Sequence, residues 1–299
     1  MRHTYIILLA IMLGGLPACV PKQDLAPENI FRIEEGERPW VIAHGGAKDL
    51  FPENTMVAFK GSMEIGVDAL EIDLALTADE HIVCHHDLTV DRTSDGEGKV
   101  IDYSLAELRG FNFGAKFKDI IGETPYTDTL IEVPLLSEVI ESFPGTPLVI
   151  EIKDRGEDGK RHAELLKELL DNYNLEDRVI VASFSKEVLD YFLDITEGKY
   201  MISGSEDEVE DFVFSGLSGV GFLYHPKAMA VQIPMSQAGI NMATNRIVNS
   251  AHSRNMAVHY WTIDDPADME LLIDLGADGL ITDRPDLMWQ VLEDLGFSR

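Results

Sequence analysis

The chain has 299 residues, 45% hydrophobic and 26% charged, enough for one large domain or two small ones and outside the collagen-like and low-complexity classes. Its 24 Lys and Arg face 53 Asp and Glu, a formal charge of −29, so no nucleic-acid partner is expected and the protein surface itself is poorly suited to anionic lipid. Two Cys are too few for a disulfide scaffold or a thiolate zinc site.

Arg2 and His3 precede an apolar run from Tyr5 to Leu13, followed by Gly14-Gly15 and a break at Pro17. A positive start, a short apolar core and small residues make residues 1–18 a secretory signal, too short to span a bilayer. Leu16-Pro17-Ala18-Cys19 resembles a bacterial lipobox, with Pro17 the unusual occupant. That resemblance implies lipidation of Cys19 and an envelope protein held to a membrane by its acyl chains. Residues 19–38, with Pro21, Pro27 and Glu34-Glu35-Gly36-Glu37, read as an extended tether, and 39–299 as the folded domain.

From Trp40 onward the pattern alternates. Apolar, strand-like runs occupy 40–44, 69–75, 81–86, 148–153, 179–182, 200–203, 229–233, 257–263 and 279–281. Helical stretches follow at 54–65, 161–172, 186–194, 206–217, 244–254 and 266–275. Short apolar strands separated by helices imply a parallel sheet covered on both faces. About eight strands over about 245 residues suit an α/β fold of the (β/α)8 TIM-barrel type better than a doubly wound sheet. Residues 87–135, with one short helix near 104–109, read as an insertion after the third strand, passing over the barrel mouth.

Barrel enzymes carry their chemistry at the C-terminal ends of strands. Here those ends offer His44, then Glu71 and Asp73, then His86, then Glu151 and Lys153. Residues two apart on a strand share a side, so Glu71 pairs with Asp73 and Glu151 with Lys153. Three acids at one mouth repel, and a hard divalent cation relieves this most simply; oxygen donors favour calcium, magnesium or manganese over zinc. His44 and His86 suit proton transfer near neutral pH. His85 is expected to be structural, His81 and His162 exposed, His225, His252 and His259 without a role in the chemistry, and Cys84 an inert thiol inside the barrel.

Ile42-Ala43-His44-Gly45-Gly46, Pro52-Glu53-Asn54-Thr55, Leu70-Glu71-Ile72-Asp73, Cys84-His85-His86-Asp87, Arg92-Thr93, Gly96 to Val100, Glu151-Ile152-Lys153, Trp261-Thr262-Ile263-Asp264 and Gly276 to Asp283 together resemble the glycerophosphodiester phosphodiesterase family, in order and spacing, over about residues 39–290. The resemblance implies a TIM barrel that hydrolyses glycerophosphodiesters to sn-glycerol 3-phosphate and an alcohol with a divalent ion, usually calcium or magnesium. It implies Glu71, Asp73 and Glu151 as metal ligands and His44 and His86 as general acid and base. Lys153 becomes a stabiliser of phosphate charge and Trp261 a wall of the site.

The family usually has Arg directly after the first catalytic His, where this chain has Gly45. Gly offers only backbone in place of a forked donor, so Lys48, Arg92 or Lys153 are candidates to hold the phosphate. Retained activity with a preference shifted toward lysophospholipid or phosphatidylglycerol head groups is the resulting expectation. A non-catalytic phosphodiester-binding lipoprotein and a sphingomyelinase-D-like phospholipase stay open as alternatives.

Overall fold

Every residue of strand β2 (Ala69–Leu76) is buried, yet its side chains divide by parity. Leu70, Ile72 and Leu74 pack between the sheet and the surrounding helices, while Ala69 joins the inner cluster, so Glu71 and Asp73 face the same interior. Strand β4 (Leu148–Ile152) pairs parallel with β2, setting Glu71 opposite Val149 and Asp73 opposite Glu151. The same parity sends Leu148, Ile150 and Ile152 outward and Val149 inward. Register and pleat alone thus set Asp73 beside Glu151.

The computed structural model describes residues 25–218 and 224–299; the signal segment and Cys19 lie outside them. Besides β2 and β4, the elements in chain order begin with β1 (Trp40–Ala43), α1 (Met56–Ile65), β3 (Ile82–Cys84), α2 (Leu105–Leu108) and α3 (Leu136–Ser142). After β4 come α4 (Gly156–Tyr173), β5 (Val179–Ala182), α5 (Lys186–Ile195), β6 (Met201–Ile202), α6 (Glu206–Ser218) and β7 (Ala230–Ile233). The chain continues through β8 (Ser236–Gln237), β9 (Ile240–Asn241), α7 (Asn245–His252), β10 (Ala257–Tyr260), α8 (Pro266–Asp274), β11 (Gly279–Thr282) and α9 (Pro285–Asp294). Eight parallel strands run β6-β5-β4-β2-β1-β11-β10-β7. A bridge between Ser203 and Ala230, with Met229 N donating to Ile202 O at 2.9 Å, joins the two ends. This is the (β/α)8 barrel expected from the strand–helix alternation.

Helix starts follow local capping chemistry. Thr55, Ser185 and Thr244 each accept a backbone N–H three residues on, at the N-termini of α1, α5 and α7. Each cap satisfies one orphaned donor, worth about 1 kcal/mol.

Four expectations need correction. β3 is not a barrel stave: it runs antiparallel to β2, outside the ring, and ends at Cys84. Three apolar residues read the same whether they pair inside or beside a barrel. His86 therefore sits on a loop, and Cys84 lies in the layer between sheet and helices with Leu136 and Val139, not inside the barrel. His162 is fully buried on the sheet-facing side of α4, where its Nδ1 bonds Asp154 at 2.7 Å. The excursion after β3 has its own small core of Val90, Val100, Leu108 and Phe113 packed on Ala75 and Val83, and it flanks the mouth without lining the cavity there.

The opposite end of the barrel is plugged from residues 25–38, the distal part of the expected tether. Phe31 is fully buried among Trp40, Ala69, Val149 and Ile281. Asp278, also fully buried, anchors the plug by accepting from Arg32 Nη1 at 2.9 Å and Ile33 N at 3.1 Å. The same carboxylate accepts from His252 Nε2 at 2.8 Å and Val258 N at 2.7 Å. Four donors around one ion make its burial tolerable.

Candidate active site

β1 delivers His44. The strand ends at Ala43 and the chain turns through His44–Gly46, with Gly45 at φ 52° and Gly46 at φ 78°. Glycine takes these angles without the clash an L side chain meets. His44 Nδ1 lies 2.8 Å from Oδ1 of Asp283, at the C-terminal end of β11. A carboxylate oxygen accepts, so Nδ1 donates there; Nε2 lies 2.9 Å from Lys48 Nζ and accepts from it when the imidazole is neutral. Burial disfavours the imidazolium, but the Asp283 hydrogen bond and the charge of Glu71 outweigh it and raise His44 from its ordinary value.

His86 repeats the device from the other side. Its Nδ1 donates to Asp87 Oδ1 at 2.7 Å. Asp87 also accepts from Arg92 Nε at 2.7 Å, and Arg92 forks onto both oxygens of Glu53 at 2.7 Å each. Burial opposes ionisation of Asp87, but Arg92 and His86 hold it down to about 2. Arg92, a candidate for the phosphate, is thus engaged with Glu53 and Asp87 and does not line the cavity.

Between the histidines lie the acids. Glu71, Asp73 and Glu151 each present an oxygen within 4.8 Å of the others. Glu71 Oε2 accepts the Gly45 N–H at 2.7 Å, and Asp73 Oδ2 accepts from Asn54 Nδ2 at 2.8 Å. Asn54 Oδ1 in turn accepts the Asp73 N–H at 3.1 Å. Lys153 Nζ bridges Asp73 Oδ1 at 2.8 Å and Glu151 Oε2 at 2.9 Å, with Lys48 Nζ 3.7 Å from Asp73 Oδ2.

The electrostatics are uneven. Burial works against Asp73, but Lys48 and Lys153 hold its carboxyl well below the usual range. Glu71 is raised by burial and by the charge of Asp73. Glu151 is pushed up to about 7, chiefly by burial, with Lys153 opposing and Asp73 adding. The protein alone therefore holds one acid ionised and resists ionising the other two. A hard dication would remove that resistance, and an all-carboxylate donor set fits calcium or magnesium.

The site opens into a cavity of about 900 Å³. His44, Glu71, His86, Glu151 and Lys153 line one end of it, and Trp261, just past β10, lines the wall beside Phe184 at 6.1 Å, edge to face. The sequence-derived candidates His44, His86, Glu71, Asp73, Glu151, Lys153 and Trp261 thus gather at one barrel end. Asp283 and Asp87 were within the quoted motifs but had no assigned role. Applying the strand-end rule to the last strand as well as the first ones would have singled out Asp283.

A model described as the glycerophosphoryl diester phosphodiesterase family matches residues 44–287. A glycerophosphodiester phosphodiesterase of Caldanaerobacter subterraneus is 33% identical over 254 residues, covering 83% of this chain and 95% of that protein. The glycerophosphoryl diester phosphodiesterase domain of a Mycobacterium tuberculosis protein superposes with a TM-score of 0.75 at 18% identity, covering 85% of this chain and 100% of that one. An Oleispira antarctica phosphodiesterase, solved with the product sn-glycerol-3-phosphate, superposes with a TM-score of 0.68 at 22% identity, covering 86% of this chain and 97% of that one.

Proposed function

The chain belongs to the glycerophosphoryl diester phosphodiesterase family and is a phosphoric diester hydrolase; from that premise we propose that it cleaves glycerophosphodiesters to sn-glycerol 3-phosphate and an alcohol with a divalent cation and the His44/His86 pair. One observation carries the reading. Two imidazoles, each fixed through Nδ1 by an aspartate, line the same cavity as Glu71, Glu151 and Lys153. The glycerol phosphate product held by the Oleispira antarctica protein supports the substrate class.

Glu71, Asp73 and Glu151 would hold the cation, calcium or magnesium. When bound, it supplies relief for the charge that makes a phosphodiester resist nucleophiles. Lys153 and Lys48 add ammonium charge at the same end, where a protein of −29 would otherwise repel the substrate. One imidazole takes the proton of the substrate's glycerol 2-hydroxyl, whose oxygen bonds to phosphorus as the bond to the departing alcohol breaks. The other imidazole protonates that alcohol. Water then opens the cyclic phosphate with the proton transfers reversed. Holding nucleophile and phosphorus in one molecule supplies the positional advantage of intramolecular attack. Trp261 bounds the substrate, and the Gly45 N–H steadies Glu71.

Cleavage before Cys19 with lipidation would tether the enzyme to a membrane of the bacterial envelope. Labelled palmitate incorporated by the wild type and lost in Cys19→Ser tests this.

The activity is tested by product analysis on glycerophosphocholine. Release of choline and sn-glycerol 3-phosphate, abolished by EDTA and restored by calcium or magnesium, is expected. No hydrolysis under any divalent ion would overturn the reading.

A further inference from the structure

Strand β7 carries a polar side chain that the acid–base scheme does not use. Val231 and Ile233 pack outward against the helices and Ala230 joins the inner cluster, so by parity Gln232 points into the barrel. It lines the same cavity as His44, Glu71, Glu151 and Lys153. Its Nε2 is shielded from solvent, and no described residue accepts a hydrogen bond from it. Leaving a buried amide donor unpaired is costly, and on the wall of a binding cavity a ligand that accepts from it accounts for the arrangement. Position decides which part of a ligand it meets. In the ring β6-β5-β4-β2-β1-β11-β10-β7, closed between β7 and β6, β7 stands four strands from β2 in either direction. Gln232 therefore approaches from the side of the barrel opposite Glu71 and Asp73. On its own side it pairs in register with His259 of β10, and Trp261, two residues beyond His259, stands at the cavity wall.

The phosphate of a glycerophosphodiester and the hydroxyl beside it find their partners at the acid end, in Lys153, Lys48 and the two imidazoles. The glycerol has one further polar atom, its terminal hydroxyl. A hydroxyl accepts the carboxamide N–H and can donate to Oε1 of the same group, whereas an anionic phosphate oxygen only accepts. We propose that Gln232 holds the terminal hydroxyl of the glycerol and so makes the site selective for glycerol over alcohols that carry only the reactive hydroxyl. The inference rests on the hydrolytic reading of the site and adds a specificity-determining residue to it.

The test crosses two substrates with two proteins. Glycerophosphocholine is compared with the phosphocholine diester of propylene glycol, joined through its primary oxygen, which keeps the hydroxyl next to the phosphate ester and lacks the terminal one. The wild type should lose about 10- to 100-fold in kcat/KM on the deoxy diester, the cost of leaving the buried amide unpaired. Gln232→Met, similar in length and without a donor, should lose a comparable factor on glycerophosphocholine and almost nothing further on the deoxy diester. Because the variant removes a buried unpaired donor, its urea midpoint should equal or exceed that of the wild type, the reverse of what loss of a structural hydrogen bond would give. Equal losses in Gln232→Met on both diesters would assign the carboxamide to the shared phosphate end, overturning this inference and leaving the hydrolytic reading standing. A wild type that turns over both diesters with the same kcat/KM overturns it in the same way. If neither diester is hydrolysed with any divalent ion, the hydrolytic reading fails and this inference with it.

Discussion

A Cβ on residue 45 would lie 2.4 Å from Cε of Lys48, so the bare backbone of Gly45 is what lets Lys48 fold inward onto His44. There Lys48 Nζ meets His44 Nε2 at 2.9 Å and Asp73 Oδ2 at 3.7 Å. The cation missing directly after His44 is thus matched by one three residues further on, reaching the acids from the turn.

Lys48→Met should lower kcat on glycerophosphocholine about 10²-fold, the scale seen when one preorganised charge contact to a transition state is lost. Gly45→Ala should displace Lys48 and force a side chain into φ 52°, costing about 1 kcal/mol in a urea titration. Gly45→Arg should change the ratio of rates on glycerophosphocholine and lysophosphatidylcholine. An unchanged ratio would remove Gly45 from any role in substrate preference.

Asp283→Asn keeps the shape beside His44 but removes the charge that favours its protonated form. Turnover should fall at least 10²-fold, with the melting temperature nearly unchanged. Because Asp283 raises the affinity of His44 for its proton, the limb of the pH–rate profile that reports His44 should move to lower pH. A limb that stays in place would detach His44 from the reaction.

His259, fully buried beside Phe31, is lowered to about 4 by burial. A depressed histidine stays neutral in the fold while the unfolded chain binds a proton near its ordinary pKa of about 6.5. The stability tied to neutral His259 is therefore complete above that value and is lost as pH falls toward 4, an effect on the order of 3 kcal/mol. Urea midpoints followed from pH 7 to pH 4 should decline less steeply in His259→Gln than in the wild type. Parallel declines would contradict this.

The acids were legible in the sequence because a strand's period of two is strict: Glu71 with Asp73, and Glu151 with Lys153, had to share a face wherever the strands lay. Their convergence needed only the strand-end rule of the barrel. His86 reaches the site by a route that the strand-end rule does not describe. Ile82–Cys84 looks like a stave, and only its antiparallel pairing with β2 reveals that the histidine arrives on a loop. At His162 the sequence is silent, because a lone imidazole in a polar helix gives no sign of the buried Asp154 that receives it. The plug at Phe31 depends on long-range packing that no local pattern encodes.

The central claim is that Glu71, Asp73 and Glu151 share one divalent cation beside two aspartate-held imidazoles. Calorimetric titration of calcium or magnesium into metal-stripped wild type and Glu71→Gln tests it most directly. One cation bound per wild-type chain, with binding weakened at least tenfold in the variant and proton release highest below pH 7, is the predicted result, since Glu151 must give up its proton to become a ligand. Equal binding in both proteins, or none in the wild type together with full hydrolytic activity in EDTA, would contradict it.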